Sequence, residues 1–226
     1  MFWIFCIGTS VGSFCCLFAQ RFPQGLPIIF AHSRCSSCHR RLHWFELIPI
    51  VSWILQKQTC RSCKQKLTCI YPLSECTAGL FACWVWLHRF DTQIILVSVW
   101  IISAYLLALI DSFYFIVELK VLCIATSILW YQQLSENQFH WETIVFTLGI
   151  ILCCHYLVPK SIGSGDYFVL LAWSGGLTIF QLNHLLLIAS GSGLCWMFGT
   201  FLTGKFARKI PFIPFLFLGL VFTLLY

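Results

Sequence analysis

QIILVSVWIISAYLLALID, residues 93–111, runs without a charge until it ends on a carboxylate. At 1.5 Å per residue such a helix reaches across the roughly 30 Å hydrocarbon core of a bilayer. The rest of the chain agrees: of 226 residues, 59% are hydrophobic, 17% aromatic and only 10% charged, and the mean hydropathy is +0.85. A soluble domain of this size has too little interior to hide so much apolar side chain, so the bilayer must be part of the solvent. A carboxylate in that setting costs about 3 kcal/mol at the centre of a span and less near its edge. The chain has three aspartates, and two of them, Asp111 and Asp166, sit at the edges of apolar runs. They need a reason.

Apolar runs at 2–20, 71–88, 93–110, 113–131, 143–158, 167–181, 185–203 and 211–226 predict about eight spans, the fourth interrupted by Glu118 and Lys120. No basic segment precedes the first run and no small-residue cleavage site follows it, so it reads as a retained span. Residues 21–70 form the long polar section. Eight of the fourteen Lys and Arg fall there, which predicts a cytoplasmic loop and an N-terminus outside. On this topology thirteen basic residues lie inside and only Arg89 outside. Asp111 and Asp166 then share the cytoplasmic side with the loop, while Asp91 lies on the other. The apolar middle of the loop, Leu47–Leu55 with Trp44 nearby, is too short to span. It is expected in the membrane interface or packed on the loop itself.

The fourteen cysteines fall into distinct groups. Cys6, Cys15, Cys16, Cys83, Cys123, Cys153, Cys154 and Cys195 lie in apolar runs, where a free thiol behaves as a small hydrophobe. Cys69 and Cys76 flank the second span and receive no role. The loop holds the other four in a half-repeat: Cys35-Ser-Ser-Cys38-His-Arg-Arg-Leu42 matches Cys60-Arg-Ser-Cys63-Lys-Gln-Lys-Leu67. Two C-x-x-C turns bring four thiolates within reach of one tetrahedral Zn²⁺. Arg40, Arg41, Arg61, Lys64 and Lys66 offset the negative charge of such a site. His39 and His43 read as bystanders. A dithiol redox pair would want an oxidising compartment, against the cytoplasmic assignment. The expected fold is therefore an all-α integral membrane protein with about eight transmembrane helices and a small cytoplasmic zinc-binding loop domain. The expected division is a first helix at 1–20, the cysteine domain at 21–70 and a helical domain at 71–226.

Asp166 sits in Ile162-Gly163-Ser164-Gly165-Asp166-Tyr167. The glycines let the backbone turn sharply and let an extended substrate approach without a Cβ clash. A pair of carboxylates sharing one proton can hydrolyse a peptide bond without a metal, one activating water and the other protonating the peptide. By itself G-x-G-D is common in loops, and a lone interfacial Asp often caps a helix. Same-side placement is what makes Asp111 its expected partner.

These residues together resemble the type IV prepilin peptidases, membrane aspartyl proteases of the GxGD class. Gly12-Ser13-Phe14 with Arg21-Phe22-Pro23 is similar to the family's first span and exit. Arg34-Cys35-x-x-Cys38, Trp44, Ile48-Pro49, Ser52-Trp53, Cys60-Arg61-x-Cys63 and Tyr71-Pro72-x-x-Glu75 resemble its cysteine domain and second span. Gly163-x-Gly165-Asp166 matches the second catalytic motif, and Asp111 takes the place of the first. The resemblance implies catalysis by Asp111 and Asp166, with Gly163 and Gly165 supporting; Glu118 is a candidate auxiliary, and Glu75 a candidate supporting residue whose other reading is an interfacial anchor. It implies cleavage of leaders from type IV pilin-like or competence pseudopilin precursors at the cytoplasmic face of the plasma membrane. It also implies N-methylation of the new N-terminus with S-adenosylmethionine in some members. Membrane lipid is an expected partner and nucleic acid is not. The chain departs from the family pattern at Val117-Glu118-Leu119-Lys120, where a Pro-Asp pair is usual, at Phe168, usually Lys, and at Glu46, often Asn. A membrane transporter with proton-relay carboxylates and a thiol oxidoreductase are the alternatives. The first should show repeated halves, and the sequence has none.

Overall fold

The computed structural model describes residues 1–28, 32–35, 37–87, 92–157, 163–204 and 210–225, with backbone alone at 92–95 and 225. Arg89, Asp91, Lys160, Ile162, Lys205, Arg208 and Lys209 lie outside the described residues. The chain divides into two compact units, Met1–Ile94 and Ile95–Tyr226.

Unit 1 is built on two long helices, α1 (Phe2–Arg21) and α3 (Ile70–Leu87), with the cysteine loop and the short α2 (Val51–Leu55) between them. Gly8 and Gly12, one turn apart, let α1 lie directly on α3. A Cβ at Gly8 would come 2.6 Å from the Ala82 Cβ, and one at Gly12 would come 2.7 Å from the Ala78 Cβ. Small residues at this spacing are how helices approach closely where no water drives them together. Gln20 Nε2 donates to the Tyr71 hydroxyl at 2.9 Å near the loop end of the pair.

α4 (Thr92–Tyr114) carries the chain into unit 2, which adds α5 (Leu119–Ser135), α6 (Trp141–Leu157), α7 (Ser164–Ser174), α8 (Ile179–Leu202) and α9 (Ile213–Leu225). Its core interleaves Ala104 and Leu107 of α4, Leu122 and Leu129 of α5, Val169 and Trp173 of α7, Leu182 and Leu185 of α8, and Leu216 and Leu220 of α9. Gly219 brings α9 against the α8 backbone, where a Cβ would sit 2.5 Å from the Leu185 carbonyl oxygen. Trp130 Nε1 donates to the Ala172 carbonyl at 2.9 Å and ties α5 to α7.

The long helices fall on the predicted apolar runs, with two informative shifts. α4 continues through Tyr114 and stops at Phe115, whose φ of 56° is left-handed. Residues 116–118 form a non-helical link, and α5 begins at Leu119 rather than at 113. Asp111 thus lies in the last turn of α4, not beyond it. The expected span at 167–181 is the eleven-residue α7, about 16 Å long and too short to cross. Gly176 passes so close to Gln133 that a Cβ would overlap its side-chain nitrogen. The helix ends there, and Thr178 opens α8 with a capping box to Gln181. Among the described residues, three helices are long and apolar enough to cross a membrane: Phe2–Gln24, Leu96–Tyr114 and Ile179–Leu202.

Candidate functional site

Asp111 is 7% exposed, on the buried side of α4. Its Oδ2 accepts the Ile213 N–H at 3.1 Å. Ile213 opens α9, so the carboxylate meets the first free amides of a helix, where negative charge is favoured. Pro214 at the second helical position has no amide to leave unpaired. Two elements a hundred residues apart therefore hold this side chain.

Asp166 is half-buried in the first turn of α7, its N–H donating to the Gly163 carbonyl at 3.1 Å. Gly163 is the N-cap, and its missing side chain leaves room for the carboxylate: a Cβ there would lie 3.1 Å from Asp166 Oδ2. Gly165 does different work. A Cβ on it would run into the Val117 side chain, in the link that follows Asp111. The close approach of Gly165 and Val117 thus sets the start of α7 against the end of α4.

The other two carboxylates expected to support the site are Glu118 and Glu75. Glu118 is half-buried at the N-cap of α5 and makes no side-chain cap bond. Glu75 belongs to unit 1, is 8% exposed, and accepts the Ile50 N–H at 2.6 Å. Ile50 has φ 62° and ψ −53°, and the Val51 N–H reaches back to the Pro49 carbonyl. This is the rarer, strained form of γ-turn, unusual for a β-branched residue. Glu75 holds that turn in place.

In the loop, the half-repeat is also a structural repeat. Cys35 N–H bonds the Arg40 carbonyl and Cys60 N–H the Gln65 carbonyl; His39 N–H bonds the Cys35 carbonyl and Lys64 N–H the Cys60 carbonyl. His39 and Lys64 share the same left-handed φ, 54° and 58°. Each knuckle is closed by one bridge, Arg34 to Arg41 and Thr59 to Lys66. The four Sγ atoms of Cys35, Cys38, Cys60 and Cys63 lie within 4.8 Å of one another, and Cys35 and Cys63 are 3.8 Å apart. A tetrahedron with metal–sulfur bonds of about 2.3 Å has edges of about 3.8 Å, so this donor set could hold a metal ion. Backbone N–H groups of Cys63 and Ser62 hold the Cys60 thiol down at about 6. The Gln65 N–H favours the Cys63 thiolate, but burial and the neighbouring sulfurs outweigh it and push that thiol up to about 11. One thiolate forms readily, and a cation is needed to hold four.

Sequence reasoning gave Glu46 no role. It is 5% exposed, accepts Arg40 at 2.7 Å and His43 N–H at 2.9 Å, and stands 3.9 Å from Arg61. Burial opposes its charge, but the His43 amide and Arg40 prevail and keep it below the usual carboxylate range. It links the first knuckle to the second. The signal was its position as the only acid between 21 and 70.

Residues 6–89, inside unit 1, match the sequence model described as Bacterial Peptidase A24 N-terminal domain. A prepilin leader peptidase/N-methyltransferase of Bacillus subtilis is 26% identical over 234 aligned positions, covering 99% of this chain and 93% of the relative. One from Myxococcus xanthus is 34% identical over 108 residues, 46% of this chain but 32% of the relative. Over nearly its whole length the chain is similar to prepilin leader peptidase/N-methyltransferases, and over residues 6–89 to the peptidase A24 N-terminal domain. A third prepilin leader peptidase/N-methyltransferase, from Stutzerimonas stutzeri, is 27% identical and covers 84% of this chain and 70% of its own length. No solved structure matches. The transporter and oxidoreductase alternatives gain no support from these relatives.

Proposed function

We propose that this chain is a membrane-embedded aspartic endopeptidase that removes the leader from type IV pilin-like precursors, with Asp111 and Asp166 as its acid and base. The observation that supports this most is the contact of Gly165 with Val117, which sets the first turn of α7, carrying Asp166, against the link that follows Asp111. The ionised carboxylate takes a proton from water as the water oxygen attacks the peptide carbonyl carbon. The protonated one gives its proton to the carbonyl oxygen. Collapse of the tetrahedral diol breaks the C–N bond: the proton taken from water passes to the leaving amine, and one hydroxyl proton returns to the other carboxylate as the product carboxyl forms. The Ile213 amide fixes one rotamer of Asp111, while Gly163 leaves room for the Asp166 carboxylate and Gly165 lets α7 close on Val117.

Substrates are expected to arrive from the cytoplasmic face, where the positive charge of the loop lies. Cys35, Cys38, Cys60 and Cys63 would hold a structural Zn²⁺, which supplies cross-linking rather than chemistry. The relatives' second activity implies S-adenosylmethionine as methyl donor, and no residue of this chain is assigned to it. Competence pseudopilins are the proposed substrate set within the pilin-like class. The test is co-expression with a pilin-like precursor and mass spectrometry of the product N-terminus. The expected result is a shortened chain, with or without a methyl group of 14 Da. An intact precursor beside abundant wild-type enzyme would refute the reading.

A further inference from the structure

The short helix α2 is inside out. Val51, Ile54 and Leu55 share one face by their i, i+3, i+4 spacing, and that face is outward, at 46%, 61% and 66% exposure. The half-buried Ser52 and Trp53 point the other way. Trp44, Leu47 and Ile48 extend the outward face, with Trp44 78% exposed. Six large apolar side chains within twelve residues make a patch that water does not tolerate on a soluble loop.

The depth of the patch follows from its anchor. Glu75 holds the Ile50 N–H at the start of α2. The Glu75 Cα packs against Gly12 of α1, 3.1 Å from where a Cβ would stand. Gly12 lies nine residues before the end of α1 at Arg21, about 13 Å along the helix. The Glu75 side chain spans part of that distance toward the loop, since helical side chains lean toward the N-terminus. α1 is one of the helices able to cross a membrane. α2 is therefore tethered below the loop-side end of a spanning helix, at the depth where interfacial helices lie. Charge agrees with this. Arg34, Arg41, Lys57, Arg61, Lys64 and Lys66 are exposed, whereas the only carboxylate between residues 21 and 70, Glu46, is buried and paired.

We propose that Trp44, Leu47, Ile48, Val51, Ile54 and Leu55 are embedded in the headgroup–acyl boundary of an anionic bilayer, with the knuckle cations on the lipid phosphates. The cysteine domain is then a membrane-resting platform, held at fixed depth by Glu75. The experiment uses the full chain in nanodiscs containing about one-third phosphatidylglycerol, with photoreactive benzoylphenylalanine in place of Ile54, or of Leu55 if the first is not recovered. Ile7, on the exposed face of α1, is the positive control, and Gln138, exposed in the polar turn between α5 and α6, is the solvent control. Intact mass after illumination should show phospholipid adducts at 54 or 55 comparable to Ile7 and at least about five-fold above Gln138. The yield should fall in pure phosphatidylcholine. Cross-links to a second copy or to an added precursor would overturn the proposal, as would lipid adducts no higher than at Gln138.

Discussion

The cysteine loop and the aspartate site are built in opposite ways. In the loop, each knuckle is closed by its own backbone within a few residues, and the same bonds recur 25 positions later. In unit 2, Asp111 takes its partner from Ile213, and Asp166 is placed by the contact of Gly165 with Val117. Local hydrogen bonds make a scaffold whose loss is a folding defect. Long-range packing makes a site in which the two carboxylates can be changed while the scaffold stands. The comparison predicts that substitutions in the two regions separate abundance from activity.

The largest effect on activity is expected at the carboxylates. Asp111→Asn and Asp166→Asn should each lower precursor cleavage by at least about 10³-fold, the scale of a lost general acid or base. Protein levels should stay within about two-fold. Cleaved and uncleaved precursor, quantified by mass spectrometry per mole of enzyme, checks this. A variant that retains wild-type cleavage would remove its aspartate from the mechanism.

Cys35→Ser or Cys60→Ser should reverse that pattern. Removing one of four thiolates is expected to lose the bound metal and the protection of residues 33–67 from hydrogen exchange, with a several-fold fall in abundance. Activity per folded molecule should fall less than about ten-fold. Metal analysis and exchange on the purified chain read both. A stable, metal-loaded and inactive Cys variant would break the contrast, because it would give the loop chemistry of its own.

What the sequence made legible follows the same divide. The cysteine site could be read because a C-x-x-C turn is a short-range object and its repeat is visible in one line. The helices could be read because apolar runs report lipid contact. The end of α7 could not. The apolar run carries on past Ser174, and what stops the helix is the fit of Gly176 against Gln133, forty-three residues away in sequence. The meeting of Asp111 with the first turn of α9 was hidden for the same reason, though Pro211 and Pro214 mark a helix start. Glu75 was expected as a supporting residue at the start of the second span. Within its own unit it holds a strained turn, and nothing in Tyr71-Pro72-x-x-Glu75 announces a γ-turn at Ile50.

Gly165→Ala tests the packing that places Asp166. The added methyl group meets Val117, at an expected cost of about 1–3 kcal/mol, with cleavage reduced because α7 must back away from α4. Val117→Ala in the same chain should restore both melting temperature and cleavage. If the double variant is no better than Gly165→Ala alone, the glycine is needed for substrate approach and not for helix placement.

The smallest effect is expected at Glu75. Glu75→Ala leaves the Ile50 N–H without its acceptor, at about 1–3 kcal/mol, and frees a turn that itself stores about 1–3 kcal/mol. The two partly cancel, because a released turn relaxes, so the net loss should be near 1 kcal/mol. Glu75→Gln keeps an acceptor oxygen and should be close to neutral. Thermal melts of the detergent-solubilised chain give both values, and cleavage should track the folded fraction in each. Glu75→Gln losing cleavage at unchanged stability would mean that the charge itself is required, which a backbone clamp does not need. That result would give the Glu75 charge a part in the chemistry.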